Sequence, residues 1–94
     1  MNYFINEPTI MRDVSIFGNV WPTERPSHRD LRFHFHNKDP SSEVNIVKTL
    51  LCEYTNVHVN PVTFHIKCII KADRVPLVQR RLKELGLQIK WVSL

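Results

Sequence analysis

Two short stretches of the chain concentrate side chains that could bind an anion or a metal ion. Residues 31–36 read Leu-Arg-Phe-His-Phe-His, and residues 62–68 read Val-Thr-Phe-His-Ile-Lys-Cys. Successive side chains of a β-strand point to opposite faces. If both stretches are strands of one sheet, the phenylalanines share one face. The opposite face then carries Arg32, His34, His36, His65 and Lys67.

Three kinds of chemistry fit this polar face. Arginine and lysine bind phosphates while aromatic rings stack on bases, as in single-stranded nucleic-acid binding. The face also suits a protein interface, where aromatic residues and arginine are enriched. Three imidazoles can bind zinc, but no Asp or Glu lies on the two predicted strands to orient the rings, so we expect no metal site. A solvated face without a binding role is the remaining interpretation.

Sequence motifs of enzymes are missing. The only glycines, Gly18 and Gly86, are too few for a glycine-rich phosphate loop. No serine lies in a nucleophile-elbow sequence. Asp13, Asp30 and Asp39 fall in predicted loops or at a helix cap and offer no carboxylate pair. We therefore expect a protein that is not an enzyme and that uses no cofactor.

Composition bounds the class of protein and its partners. A length of 94 residues, 43% of them hydrophobic, predicts a single ordered domain. The formal charge of +4 favours nucleic acid or an acidic protein as partner. Cys52 and Cys68 match no zinc or redox motif and lie in apolar patterns, which predicts two buried thiols. Without a signal-peptide pattern or a long apolar run, we expect a soluble cytoplasmic protein with no membrane partner.

Alternation of apolar and polar residues predicts five strands. Residues 1–12, which Pro8 interrupts, are interpreted as a short strand or as an N-terminal arm that packs on the domain or on a partner. The polar segment 22–30, with two prolines, is predicted to be a loop. The step from Asn60 to Pro61 predicts a tight turn between two strands or, alternatively, a kink in one bent strand. The predicted strands are residues 14–21, 31–37, 57–59, 62–71 and 87–94.

Apolar residues that recur every three or four positions predict two helices. The first begins after Asp39, which can cap it, with Pro40 at its first position. The second begins after Asp73 and ends at Gly86, which suits the left-handed residue that follows a helix. The predicted buried stripes are Val44, Val47, Leu51 and Tyr54 in the first helix, and Val75, Val78, Leu82 and Leu85 in the second.

After the first strand, the order of elements is β-α-β-β-α-β. This order predicts an α+β, ferredoxin-like (split βαβ) two-layer sandwich, with an antiparallel sheet and two helices on one face. Strand 14–21 is the added N-terminal strand and pairs with strand 31–37. Strands 31–37 and 62–71 lie side by side at the centre of the sheet. Phe17 and Trp21 then join the polar face, and Lys90 lies toward its other edge.

This layout resembles that of RNA-recognition-motif domains over residues 31–94. That family places its RNA-contacting residues on the same two central strands and stacks bases on aromatic side chains there. The resemblance implies an RNA-binding sheet face. It covers the architecture alone, because the glycine- and aromatic-rich signature of the family is absent and because Phe33, Phe35 and Phe64 are predicted to point toward the helices.

The sequence thus predicts a small basic binding module for single-stranded nucleic acid, with RNA preferred to DNA. The alternative is a protein-binding regulator or inhibitor that acts through the same face, alone or as a homodimer. The predicted binding residues are Arg32, His34, His36, His65, Lys67, Phe17, Trp21 and Lys90.

Overall fold

The computed structural model describes residues 16–93, so the predicted arm at residues 1–12 lies outside the described residues. These residues form a small α+β domain with a five-stranded mixed sheet and two helices. A 3-10 turn, Ala72–Arg74, leads into the second helix. The elements are β1 (Ile16–Pro22), β2 (His28–Phe35), α1 (Ser41–Leu51), β3 (Val57–Val59), β4 (Ile66–Lys71), α2 (Val75–Glu84) and β5 (Ile89–Ser93).

The strands follow the order β3-β4-β2-β1-β5 across the sheet. The predicted neighbours β2 and β4 do lie side by side, and β1 pairs with β2 as an antiparallel hairpin. The prediction of a wholly antiparallel sheet is wrong, because β5 runs parallel to β1. The β1–β2 hairpin occupies the edge of β2 that β5 would otherwise use, so β5 pairs with β1 instead.

The predicted alternation in the central strands is confirmed. Leu31 and Phe33 of β2 are fully buried, and so is Ile66 of β4, whereas Arg32 and Lys67 between them are exposed. These apolar side chains and both helices build one core on one side of the sheet. Its members are Ile16, Leu31, Phe33, Val44, Val47, Leu50, Leu51, Ile66, Cys68, Ile70, Val75, Val78 and Leu82.

Two residues predicted to be buried are exposed, one at the end of each helix. α1 ends at Leu51, and Cys52 lies in the following turn with its side chain in solvent. α2 ends at Glu84, and Leu85 is 53% exposed. Cys68 is buried as predicted, and that burial raises the pKa of its thiol to about 12.

The connection between β3 and β4 is longer than predicted, and it shortens β4. Asn60 accepts hydrogen bonds through its side-chain oxygen from the backbone N–H groups of Val62 and Thr63, at 2.9 and 3.1 Å. Phe64 follows with a φ of 61°, in the left-handed region. The chain therefore enters β4 only at Ile66, and Phe64 packs at the margin of the core.

Trp91 of β5 reaches across β1 to the centre of the core. Its ring lies 5.4 Å from that of Phe33 in an edge-to-face arrangement. Gly18 of β1 pairs with both residues and lies beneath the indole. A Cβ atom at Gly18 would lie 2.9 Å from two carbons of the Trp91 ring. Glycine is therefore required at this position by the close approach of Trp91.

We expect Gly18→Ala to destabilise the domain by about 1–3 kcal/mol, the usual cost of overpacking a core. At an unstrained strand position the same change stabilises, because alanine loses less conformational freedom than glycine. Denaturant unfolding measures the difference. In a double-mutant cycle, the cost of Gly18→Ala should shrink in the Trp91→Leu background. An equal cost in both backgrounds would show that the Trp91 ring is not the obstacle.

Candidate functional site

The sheet face opposite the helices carries the chain's histidines. We call it the open face, because no described element covers it. The sequence contains five histidines; strand pairing assigns three of them to this side, and ring contacts with Phe17 and His34 place His36 and His65 there as well. His58 lies opposite Lys67, and His28 lies opposite Lys71. The remaining three are the predicted site residues His34, His36 and His65.

Aromatic rings form a row of two contacting pairs across one end of the open face. The rings of His34 and His65 lie 4.4 Å apart, between centroids. Phe17 lies opposite His34 in the β1–β2 pair, and its ring is 4.8 Å from that of His36. On the other side of Phe17, the Nζ atom of Lys90 is 5.8 Å from its ring centroid. The structure therefore brings five of the predicted site residues together in one cluster.

The environment of His34 disfavours its charged form. Partial burial lowers the pKa of His34 below its ordinary value, and the nearby charges of His65, His36 and Arg32 lower it further. A bound anion would have the opposite effect, because it stabilises the imidazolium. The protonation of His34 is thus sensitive to what occupies the open face.

Arg32 is less free to bind an anion than the sequence predicts. Its guanidinium donates hydrogen bonds to Oδ2 of Asp30, the shorter of them at 3.0 Å, and this bond and the carboxylate charge raise the pKa of Arg32. The same guanidinium lies 5.4 Å from the ring centroid of Trp21. Arg32 nevertheless keeps 44% of its side chain exposed, so an anion can still approach it.

The placement of Asp30 in a loop is wrong, and so is the expectation that the site strands carry no acid. β2 begins at His28, and Asp30 faces Trp21 and Ile69 across the two strand pairs on the open face. Asp30 is only 15% exposed, and its Oδ1 atom has no hydrogen-bond partner among the described residues. It is the one acidic side chain that the described strands place on this face.

The apolar part of the open face differs from the sequence prediction. Phe17 and Trp21 are half-buried rather than fully exposed, and Nε1 of Trp21 is a second buried atom without a partner in the described residues. Ile69 and Val92 are 52% and 40% exposed. Ile69 was not predicted as a site residue, although it follows Lys67 by two residues and therefore shares its face.

Free cations complete the site. Lys67, Lys71 and Lys90 are exposed, and no ion pair involves them within the described part of the chain. Lys67 lies opposite Arg32, and Lys71 lies one row beyond Ile69. Lys71, His28 and His58 were not predicted as site residues, although strand alternation assigns each of them to this side. The open face is therefore strongly cationic with a single acid.

A metal centre is not assembled here. Among residues 16–93, no group of three His, Cys, Asp or Glu side chains is placed to hold a metal ion. The pair of His34 and His65 supplies two nitrogens, and Asp30, the acid on these strands, is engaged by Arg32. A zinc site needs three or four protein ligands with oriented rings. That the protein binds no metal stays a prediction.

Comparison of the chain with protein-family models, with curated proteins and with solved structures gives no match in any of the three. Within the described residues, no helix has the length and apolar character needed to span a membrane.

Proposed function

We propose that this chain is a binding module for single-stranded nucleic acid, RNA before DNA, and that the open face is its binding surface. One observation carries the proposal: the aromatic row of Phe17, His34, His36 and His65 lies beside exposed lysines on an uncovered sheet face. Single-strand binding proteins combine stacking rings with a cationic path for the phosphates. The proposed binding residues are Arg32, His34, His36, His65, Lys67, Phe17, Trp21 and Lys90.

The rows of the sheet suggest how a strand would lie. Bases would stack along the row that contains Phe17 of β1, His34 of β2 and His65, the residue before β4. Phosphates would contact Lys90 at one end of this row and Lys67 in the neighbouring row of the sheet. Unpaired bases are needed for this mode, because stacked and paired bases cannot reach the rings.

Fluorescence anisotropy with a labelled single strand at about 50 and 200 mM salt tests the proposal. Contacts of three to four cations with phosphates predict a slope of log K against log salt of about −2 to −3, at ~0.7 per phosphate. RNA should bind more tightly than DNA of the same sequence, and duplex more weakly than either. No binding to any single strand at low salt would sink the proposal.

We further propose that the fold is a ferredoxin-like domain with one inserted strand. With β1 left out, the order β3-β4-β2-β5 is the one that a split βαβ unit generates. β5 is parallel to β1, and β1 is antiparallel to β2, so β5 and β2 keep the opposite directions that this unit requires. The insertion widens the open face by the strand that carries Phe17 and Trp21.

Asp30→Asn should increase the affinity for single-stranded RNA several-fold. The carboxylate competes with phosphate for Arg32, to which it is bound at 3.0 Å. The amide keeps the shape but removes the charge, so Arg32 becomes available to the ligand. The salt dependence should steepen by about 0.7, the contribution of one added phosphate contact. An unchanged affinity and slope would mean that Arg32 takes no part in binding.

Affinity should also rise as the pH falls through about 6.5, the ordinary pKa of histidine. The pKa of His34 is lowered in the free protein by burial and by its cationic neighbours, and a bound phosphate would raise it. At a pH between the pKa values of free and bound His34, binding is therefore coupled to protonation of this residue. Affinity continues to rise as the pH falls, until His34 is protonated in the free protein as well. His34→Gln should weaken this pH dependence, whereas His58→Gln, at the far edge, should change it less.

A protein partner is the second candidate for the same face. The exposed side chains of Ile69 and Val92 favour it, since they offer apolar surface beside half-buried Trp21. A regulator or inhibitor of an acidic protein, or a homodimer, would use this surface. Sedimentation distinguishes the two candidates. If the protein is a dimer that Ile69→Lys converts to a monomer, and if it binds no single-stranded nucleic acid, the open face is a protein interface.

A further inference from the structure

A second surface, on the helix side of the sheet, is independent of the open face. Between α2 and β5 lies a groove of about 770 Å³. Its apolar lining includes Leu82 of α2, and Leu87, Ile89 and Trp91 on the β5 side. The last three are half-buried and pack against the margin of the core. The core is therefore incompletely covered at this edge of the sheet.

The groove runs beside an edge strand. β5 pairs with β1 along one side, and the described residues place no strand along its other side. An uncovered edge presents backbone N–H and C=O groups to solvent and accepts a further extended segment. A segment that pairs with this edge and turns apolar side chains into the groove satisfies both features at once.

The chain that precedes β1 starts close to this groove. β1 begins at Ile16, which lies opposite Ile89 in the parallel pair. The path from β1 across β5 to its outer edge spans about two strand spacings, ~10 Å in all. Three extended residues cover that distance at ~3.3–3.6 Å each. Residues 13–15 therefore suffice for the crossing, and residues 1–12 remain available to lie along the edge.

We propose that residues 1–12 dock in the groove between α2 and β5. They supply two apolar groups, Tyr3-Phe4-Ile5 and Ile10-Met11, which match the apolar lining of the groove. Tethering favours this occupant, because a linked segment is present at a millimolar effective concentration. A second copy is a poorer occupant, since edge pairing of two β5 strands would bring the basic Arg80 and Lys83 of both copies together.

The test compares the full chain with a variant that lacks residues 1–12. Truncation should lower the unfolding midpoint and increase hydrogen exchange at the backbone amides of β5. A synthetic peptide of residues 1–12 should bind the truncated variant and restore both properties, but should not bind the full chain. Leu87→Asp in the truncated variant should reduce peptide binding at least tenfold, whereas Val62→Asp, in the exposed turn before β4, should leave it unchanged.

Three outcomes would overturn the proposal: equal stability and exchange with and without residues 1–12, peptide binding that ignores Leu87→Asp, or a truncated protein that dimerises instead of binding the peptide. If the truncated variant does not fold, Phe4→Asp with Ile5→Asp in the full chain replaces it. This pair should increase exchange at β5 and leave exchange at β3 unchanged. Exchange at β5 equal to that of the unaltered chain would count against docking.

Discussion

Phe33→Ala should lower the free energy of unfolding by about 3–5 kcal/mol, the usual cost of emptying a large core site. The Phe33 side chain is fully buried at the centre of β2, and its ring packs edge-to-face against Trp91. The change removes this contact and leaves a cavity between the sheet and the helices. Since domains of this size are stable by only ~5–15 kcal/mol, the loss is a large part of the total.

Phe17→Ala is the matched control on the other face of the sheet. Phe17 lies in β1, diagonal to Phe33, but points to the open face and is only half-buried. We expect it to cost about 1 kcal/mol or less. Denaturant unfolding of both variants measures the difference. If Phe33→Ala cost less than about 1 kcal/mol, or no more than Phe17→Ala, the two faces of β2 would be interchanged and the argument for the site would fail.

The sequence was sufficient to assign the two faces of the central strands. Each strand buries one side, so the alternation of Phe33 with His34 and of Ile66 with Lys67 is a local pattern with a period of two. Such a pattern depends on no distant partner. For this reason the cationic face, and its histidines at positions 34, 36 and 65, could be predicted before the fold was known.

The position of β1 and the start of β2 could not be predicted in the same way. Which strand borders which is decided by long-range pairing, and β1 fits equally well at an edge or between β2 and β5 by its pattern alone. The residues from His28 to Asp30 are polar and follow prolines, so they read as a loop. Their pairing with residues 69–71 of β4 makes them a strand, and this pairing brings Asp30 beside Arg32.

The errors about Cys52 and Leu85 have different causes. Cys52 lies among apolar residues in the sequence, but it follows exposed Lys48 by four residues and therefore falls on the solvent side of α1. Leu85 continues the apolar spacing of α2, but the helix ends one residue earlier, at Glu84. Periodicity gives the direction of a side chain only while the helical geometry lasts, and the end of a helix also depends on its tertiary contacts.

Reversal of two charges on the open face should have the largest effect on binding. Lys67 and Lys90 are exposed, lie on different strands and take part in no ion pair among the described residues. Lys67→Glu with Lys90→Glu should therefore leave the fold intact. Arg32 is unsuitable for this purpose, because its removal would leave the half-buried carboxylate of Asp30 without its partner.

The loss of two phosphate contacts predicts a slope of log K against log salt that is shallower by about 1.4. Affinity at low salt should fall at least tenfold, because two attractive contacts become repulsive. Arg80→Glu with Lys83→Glu is the matched control, with the same change in net charge on the exposed side of α2. Arg81 is left unchanged, since it binds Glu53 and Tyr54 and so joins α2 to the end of α1.

The most direct test of the open face as a nucleic-acid site is the salt-dependent affinity of these two variants for one labelled single-stranded RNA. We predict that the Lys67/Lys90 variant binds at least tenfold more weakly, with a slope shallower by about 1.4, while the Arg80/Lys83 variant stays within about threefold of the unaltered protein, a difference of ~0.7 kcal/mol. Unchanged binding by the Lys67/Lys90 variant, together with lost binding by the Arg80/Lys83 variant, would contradict the account and place the site on the helices.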